Sequence, residues 1–288
     1  MNYRLLPASE SQVLRYVAFL STEVTPATIK VYMSALANLH IINGVPIEYA
    51  TPRLQLTLRG IKKSAPPTRQ RAPATPAVIL ALGRVLDLRR YSDLLFWTQM
   101  CVAFFGFLRI SEFTVSPPFD PEVHLQLCDV AFDQPANPMY VMLLIKASKT
   151  DVFRQGVTIT LGATGSTMCP VNAVIDYLYR RGGKPGPLFI HEDGSPVTRT
   201  AFTTRLAKLC ALAKVPGDIT SHSFRIGAAT TAAARNLPEN IIQLLGRWSS
   251  DTYKRYIRTP ASLRAWWTTK LVDPNDGNFI SNRQLMAG

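Results

Sequence analysis

Apolar residues recur at helical spacing from near the start of the chain. Val13, Leu14, Val17, Ala18 and Leu20 fall on one helical face, with Ser9 placed to cap it. Thr25-Pro26 reads as a cap followed by proline at the first helical position. Ile29, Tyr32, Met33, Leu36 and Leu39 then form an amphipathic stripe. Gly44-Val45-Pro46 breaks the pattern, and Pro52 opens a shorter helix through Leu54, Leu58 and Ile61. The sequence therefore predicts a small helical domain over residues 1–63.

Residues 64–76 hold four prolines and no apolar period, the composition of a stiff, extended linker. A second domain is expected over 77–272, and a disordered tail over 273–288. Within the second domain a helix carries Val78, Ile79, Leu82 and Leu86, and a strongly apolar one runs Leu94–Phe107. Met139–Lys146 and Gly156–Leu161 have strand character, with Ala147–Asp151 as the turn of a hairpin. Pro170 begins a helix that Gly182-Gly183 stops, and Leu188–Ile190 reads as a short strand. Thr198 caps a basic helix through Leu212 that carries Arg199, Arg205 and Lys208. Helices follow over Ser221–Ala234, Glu239–Leu245 and Pro260–Leu271, the last with Trp266 and Trp267, apolar surface for their own domain or a neighbouring subunit. The fold class is mainly α with a small β-sheet: an N-terminal helical domain and a C-terminal α+β domain.

Charge narrows the partner. Lys and Arg number 32 against 19 for Asp and Glu, a net charge of +13, which favours a polyanion, nucleic acid before membrane. Lys30, Arg53, Arg59, Lys62 and Lys63 suit either phosphate contact or a solvated face, and Arg69 and Arg71 make the linker basic. The four cysteines form no C-x-x-C pair, and the histidines complete no zinc pattern. A reducing intracellular setting is expected. The first residues do not resemble a signal peptide, and the most apolar run is too short to cross a bilayer, which takes about 20 residues.

Candidate chemistry gathers late in the chain. His222 and Arg225, three apart at a helix start, would present an imidazole, a guanidinium and free N–H groups to one point, a setting suited to phosphate. Tyr256 lies between Arg255 and Arg258, and a phenol needs such surroundings to act as a nucleophile. Arg109, at the end of an apolar helix, calls for an anionic partner, and Glu112 is placed to be one.

His222-Ser223-Phe224-Arg225 and Gly246-Arg247-Trp248…Tyr256-Ile257-Arg258, with Leu108-Arg109-Ile110-Ser111-Glu112 upstream, resemble the tyrosine recombinase (phage integrase) family. Their wording is nearest to recombinases of eukaryotic mobile elements, of the Crypton and DIRS kind. The resemblance covers residues 77–271, and the N-terminal domain is a looser match to the family's core-binding module. It implies a site-specific recombinase or integrase-transposase that clamps double-stranded DNA between its two domains. Strands would be cut through a 3′-phosphotyrosyl bond and exchanged through a Holliday junction, in a homo-tetramer with a dimer per site.

In that reading Tyr256 is the nucleophile, and Arg109 and Arg225 hold the phosphate. Lys149 is the general acid, with Lys146 as fallback. His222 donates to phosphate or takes the tyrosine proton, and Glu112 positions Arg109 or His222. The family's His/Trp position falls to Trp248 or, by strict spacing, to Arg247. Tyr253 is a rival nucleophile. No metal, ATP or other cofactor and no membrane is expected, and a nuclear location is. Two other readings stand beside this one: a type IB topoisomerase-like enzyme, and a domesticated DNA-binding protein without catalysis.

Overall fold

The computed structural model describes residues 6–67, 70–148, 151, 153–259 and the isolated positions 264, 265 and 268. The chain divides into two compact units, Met1–Arg69 and Gln70–Gly288.

The first unit holds three helices: α1 (Glu10–Glu23), α2 (Pro26–Ile42) and α3 (Pro52–Ser64). Each starts where a hydroxyl can satisfy an orphan amide, from Ser9, Thr25 and Thr51, and the Ser9 cap is reciprocal with Gln12. Val13, Val17, Leu20, Ile29, Tyr49 and Leu54 form the core. The stripe expected on α2 is only partly buried. Ile29 lies fully inside, whereas Tyr32 and Leu39 are 43% and 47% exposed. The second buried anchor of α2 is instead His40. Its Nε2 accepts from the Ala8 amide at 2.9 Å, its Nδ1–H donates to the Leu36 carbonyl at 2.9 Å, and its ring packs edge-on to Tyr49. A histidine satisfied on both nitrogens packs as a core residue. Lys30, Arg53, Arg59, Lys62 and Lys63 are all exposed.

The second unit is built on α5 (Tyr91–Phe105), buried along most of its length, with α4 (Pro76–Gly83) before it. Around it lie α6 (Pro170–Arg181), α7 (Arg199–Leu212), α8 (Ser223–Ala234) and α9 (Glu239–Gly246). A three-stranded antiparallel sheet, in the order β1 (Val130–Phe132), β2 (Tyr140–Ile145), β3 (Val157–Gly162), completes it. The β2–β3 hairpin is the one expected. Leu188–Ile190 joins no ladder among the described residues. It makes an isolated bridge from Ile190 to Pro196, its Leu188 amide donates to Leu125, its Phe189 carbonyl accepts from the Val197 amide, and its Leu188 carbonyl is taken by the side chains of Arg181 and Tyr177.

Two helix ends decide the geometry that follows. The sequence placed the end of α5 at Phe107, but the helix closes two residues earlier. Phe107 takes φ +50°, its amide donates to Phe104, and the Leu108 amide reaches back to Ala103. Helix α9 ends in the same way, with Arg247 at φ +55°, its amide on Leu244 and the Trp248 amide on Gln243. Both are six-to-one helix closures in which glycine is the usual left-handed residue. Here a phenylalanine and an arginine hold that position.

The small-residue run of α8 meets a close neighbour, as expected. The Ala74 amide donates to the Ser223 carbonyl at 2.9 Å, and the Ala72 amide to Asp218 at 3.0 Å. A Cβ on Gly227 would stand 2.0 Å from the Ala74 carbonyl oxygen, a backbone atom with little freedom to move. Gly227→Ala should therefore destabilise the protein by about 1–3 kcal/mol in urea denaturation, although alanine in a helix is otherwise favoured by ~1 kcal/mol. A gain in stability would show that residues 72–74 are not seated on α8.

Candidate active site

Arg225 is the centre of the site. It projects from the first turn of α8 and is wholly buried. Its Nη1 donates to the Phe107 carbonyl and its Nη2 to the Gly246 carbonyl at 2.5 Å. These carbonyls belong to the closures of α5 and α9, where the helix dipoles present negative ends. The guanidinium also lies over the Trp248 ring, 4.2 Å from its centroid. Two dipole ends and an aromatic face thus offset the desolvation of a buried cation. Burial and the nearby Arg109 and Arg247 still push its pKa down to about 10, with Glu112 opposing.

Glu112 sits below the guanidiniums with its side chain fully buried. Arg109 precedes a short 3₁₀ turn, Ile110–Glu112, rather than ending a helix. Glu112 Oε1 accepts from Arg109 Nη1 at 3.0 Å, and Oε2 accepts from the Arg109 amide at 2.9 Å. The same Oε2 accepts from Arg247 Nη2 at 2.7 Å. One carboxylate therefore fixes two arginines that are 138 positions apart in the chain, a spacing read directly from their numbers.

Tyr256 follows a 3₁₀ turn, Asp251–Arg255. Thr230 of α8 holds the segment: its hydroxyl donates to the Tyr256 carbonyl at 3.2 Å and accepts from the Arg258 amide at 3.0 Å. The phenol ring lies 5.1 Å from the His222 ring, 5.1 Å from the Trp248 ring and 5.7 Å from the Arg225 guanidinium. Trp248 can pack so closely only because position 246 is glycine; a Cβ there would come within 1.6 Å of the indole. Tyr253, by contrast, is buried, and its hydroxyl donates to Glu239 at 2.5 Å, which raises its pKa.

Several buried donors in this cluster have no acceptor: Arg225 Nε, Arg247 Nε and Nη1, and Trp248 Nε1. Leaving a buried donor unmet costs about 1–3 kcal/mol each. Three guanidiniums against one carboxylate also leave positive charge in excess. Burial first, then Arg71, Arg225 and Arg109, push the pKa of His222 down to about 4, so it is neutral at pH 7. The unfolded chain binds the proton near pH 6.5 and the folded one only near pH 4, so stability is complete above about 6.5 and declines as pH falls toward 4. The melting temperature should drop over that window, and drop less in His222→Gln; equal profiles would show that His222 is not shielded from water.

No protein-family model and no curated protein matches the sequence. Solved structures do match it. A Tn1549 transposon integrase in complex with circular intermediate DNA superimposes with a TM-score of 0.57 at 15% identity, over 91% of this chain and 85% of that one. XerH site-specific recombinase bound to palindromic difH substrate gives 0.62 at 14% identity, over 88% and 69%. A lambda integrase dimer bound to a COC′ core site gives 0.58 at 15%, over 88% and 65%. The chain has the tyrosine-recombinase fold.

Within this recombinase fold, Arg109, Glu112, His222, Arg225, Trp248 and Tyr256 come together from four separate chain segments. Lys149 lies outside the described residues. Lys146, the fallback, is taken up by Asp129 at 2.9 Å and the Pro121 carbonyl at 3.0 Å. Arg205, one of the basic residues of α7, pairs with Asp93 and lies over the Phe96 ring. Sequence reasoning missed the two carbonyls that hold Arg225 and the Glu112–Arg247 pair. Contacts across such separations leave no local signal. Arg247 at the strict spacing of the His/Trp position, next to Trp248, was the one clue. No helix among the described residues is long and apolar enough to cross a membrane.

Proposed function

We propose that the protein is a site-specific DNA recombinase that cuts and rejoins strands through Tyr256. The observation that carries this reading is the set of buried, acceptor-less donors on Arg225, Arg247 and Trp248 beside the Tyr256 ring. A tetrahedral anion supplies the missing acceptors, and a phenol next to it supplies a nucleophile. The fold shared with recombinases supports the same choice.

In the cutting step the Tyr256 oxygen attacks phosphorus, the bond from phosphorus to the 5′-oxygen breaks, and a 3′-phosphotyrosyl ester forms. The bond energy is kept in that ester for rejoining. Arg109 and Arg225 neutralise the non-bridging oxygens. Neutral His222 donates to one of them or accepts the phenolic proton. Lys149 delivers a proton to the departing 5′-oxygen. Trp248 holds Arg225 flat and turns its indole N–H toward the phosphate, and Glu112 positions Arg109. The reading includes a dimer on each DNA site, a tetramer that exchanges strands through a Holliday junction, and an origin in a Crypton- or DIRS-like mobile element acting in the nucleus.

The test is covalent capture. Pooled duplexes of random sequence, each carrying a nick that lets the cut fragment diffuse away, are incubated with the protein, and detergent-stable adducts are isolated. Peptide mapping should find the nucleotide on Tyr256, with no divalent cation required. Absence of any adduct, or an adduct on another residue, overturns the assignment. Relaxation of plasmid without joint products from two marked duplexes would move the protein to the topoisomerase class.

A further inference from the structure

Helix α8 bears His222 at its start, Arg225 in its first turn and Thr230 about 7.5 Å beyond Arg225 along the axis. A threonine inside a helix often turns its hydroxyl back to the carbonyl four residues earlier. The hydroxyl of Thr230 reaches instead to a later part of the chain. It donates to the Tyr256 carbonyl at 3.2 Å and accepts from the Arg258 amide at 3.0 Å, and the residue is buried.

The segment so held is otherwise lightly seated among the described residues. In the turn before Tyr256, Tyr253 is buried, whereas Asp251, Thr252, Lys254 and Arg255 face solvent. Beyond Tyr256, Ile257 packs partly against the core. The two bonds to Thr230 act on the backbone, so the phenol oxygen keeps its freedom to follow phosphorus as a bond forms. An attacking oxygen has to stand about 3–3.5 Å from its target, and the entropy of bringing it there is part of the barrier. In the recombinase reading one helix carries both the guanidinium that holds the phosphate and the hydroxyl that holds the nucleophile's backbone. That helix then fixes the distance between the two.

We propose that Thr230 is a positioning residue that fastens the nucleophile segment to α8 and thereby sets the balance between intact and cut DNA. This rests on the recombinase reading above. Before cutting, the hydroxyl keeps Tyr256 in place, and without it the segment spends much of its time undocked. After cutting, the phosphotyrosyl ester itself ties the segment down. Loss of the hydroxyl therefore slows cutting, leaves rejoining nearly unchanged and shifts the equilibrium toward intact DNA by the same factor. Damage to the phosphate-binding groups acts otherwise. It raises the one transition state that both directions share, and slows both.

The test uses the duplex recovered by covalent capture. Cutting is timed in single turnover on the nicked duplex. Rejoining is timed on isolated adduct after addition of a strand with a free 5′-hydroxyl. Thr230→Val replaces the hydroxyl with a methyl of like size, and should cut about 10- to 50-fold more slowly while rejoining within about threefold of the parent. Thr230→Ser keeps the hydroxyl and should cut within about threefold of the parent. Should the valine variant not fold, Thr230→Cys, whose thiol bonds weakly, takes its place in both assays. Cutting by the hydroxyl-free variant within about threefold of the parent overturns the proposal. An equal loss in both directions also overturns it, since that marks a general disturbance of the site. A serine variant as slow as the valine one does so too, by assigning the effect to the methyl group. Where the parent joins Tyr256 to DNA and these rates disagree, the role of Thr230 alone falls. A parent protein that joins to no duplex overturns the recombinase reading and this proposal together.

Discussion

Tyr256→Phe should abolish covalent capture, with a loss on the order of 10⁴-fold or more, while Tyr253→Phe should retain it. Phenylalanine keeps the ring that packs on Trp248 and His222 and removes only the oxygen that attacks. The site should remain folded and DNA binding should persist. Nothing among the described residues hydrogen-bonds the Tyr256 hydroxyl, so its loss leaves no partner stranded. Tyr253 is the opposite case. Its hydroxyl is bonded to Glu239, and the carboxylate holds the phenol in its protonated form. Tyr253→Phe should cost stability, by about 0.5–1.5 kcal/mol in urea denaturation, with a cutting rate close to the parent's. Exchange of these two outcomes between the tyrosines would make Tyr253 the nucleophile.

The second large effect belongs to Arg225→Lys. The charge is preserved, yet an ammonium cannot span the Phe107 and Gly246 carbonyls and also lie flat on the indole. We expect a loss of roughly 2–4 kcal/mol in stability, from one charge-assisted hydrogen bond and the stacking on Trp248. Single-turnover cutting should fall on the order of 10³-fold. Near-parental values for both would mean that position 225 needs only a positive charge, and that the two carbonyls are incidental.

The sequence showed most of the helices because their starts are written locally. Ser9, Thr25, Thr51 and Thr198 each cap the helix that follows, with a hydrogen bond from side chain to backbone. The hairpin was legible from its alternation. The end of α5 was not, since phenylalanine in a left-handed conformation carries no signature, and tertiary packing held it there against its preference. Strand β1 has three residues, too few to establish a period. Leu188–Ile190 is as apolar as a strand, yet Arg181 and Tyr177 of α6 take the Leu188 carbonyl, and its backbone pairing is limited to isolated bonds.

The site divides in the same way. His222, Arg225 and Tyr256 were legible as residue types, because an imidazole, a guanidinium and a phenol with basic neighbours suggest a phosphate. Their mutual approach was implied only by resemblance. The role of Glu112 was half legible. Its contact with Arg109 is a three-residue step, whereas its contact with Arg247 depends on how α9 closes.

The seat of Arg225 also sets an order of assembly. One of its two carbonyls comes from residue 107, long before it in the chain, and the other from residue 246, after it. A chain still on the ribosome has the arginine and the first acceptor, but neither the second acceptor nor the indole beneath it. The pocket therefore cannot be completed before residues 246–248 have been made. A truncated product ending before Gly246 would keep much of the hydrophobic interior around α5 and lack a finished pocket, so incomplete synthesis yields an inert protein rather than an unregulated cutter.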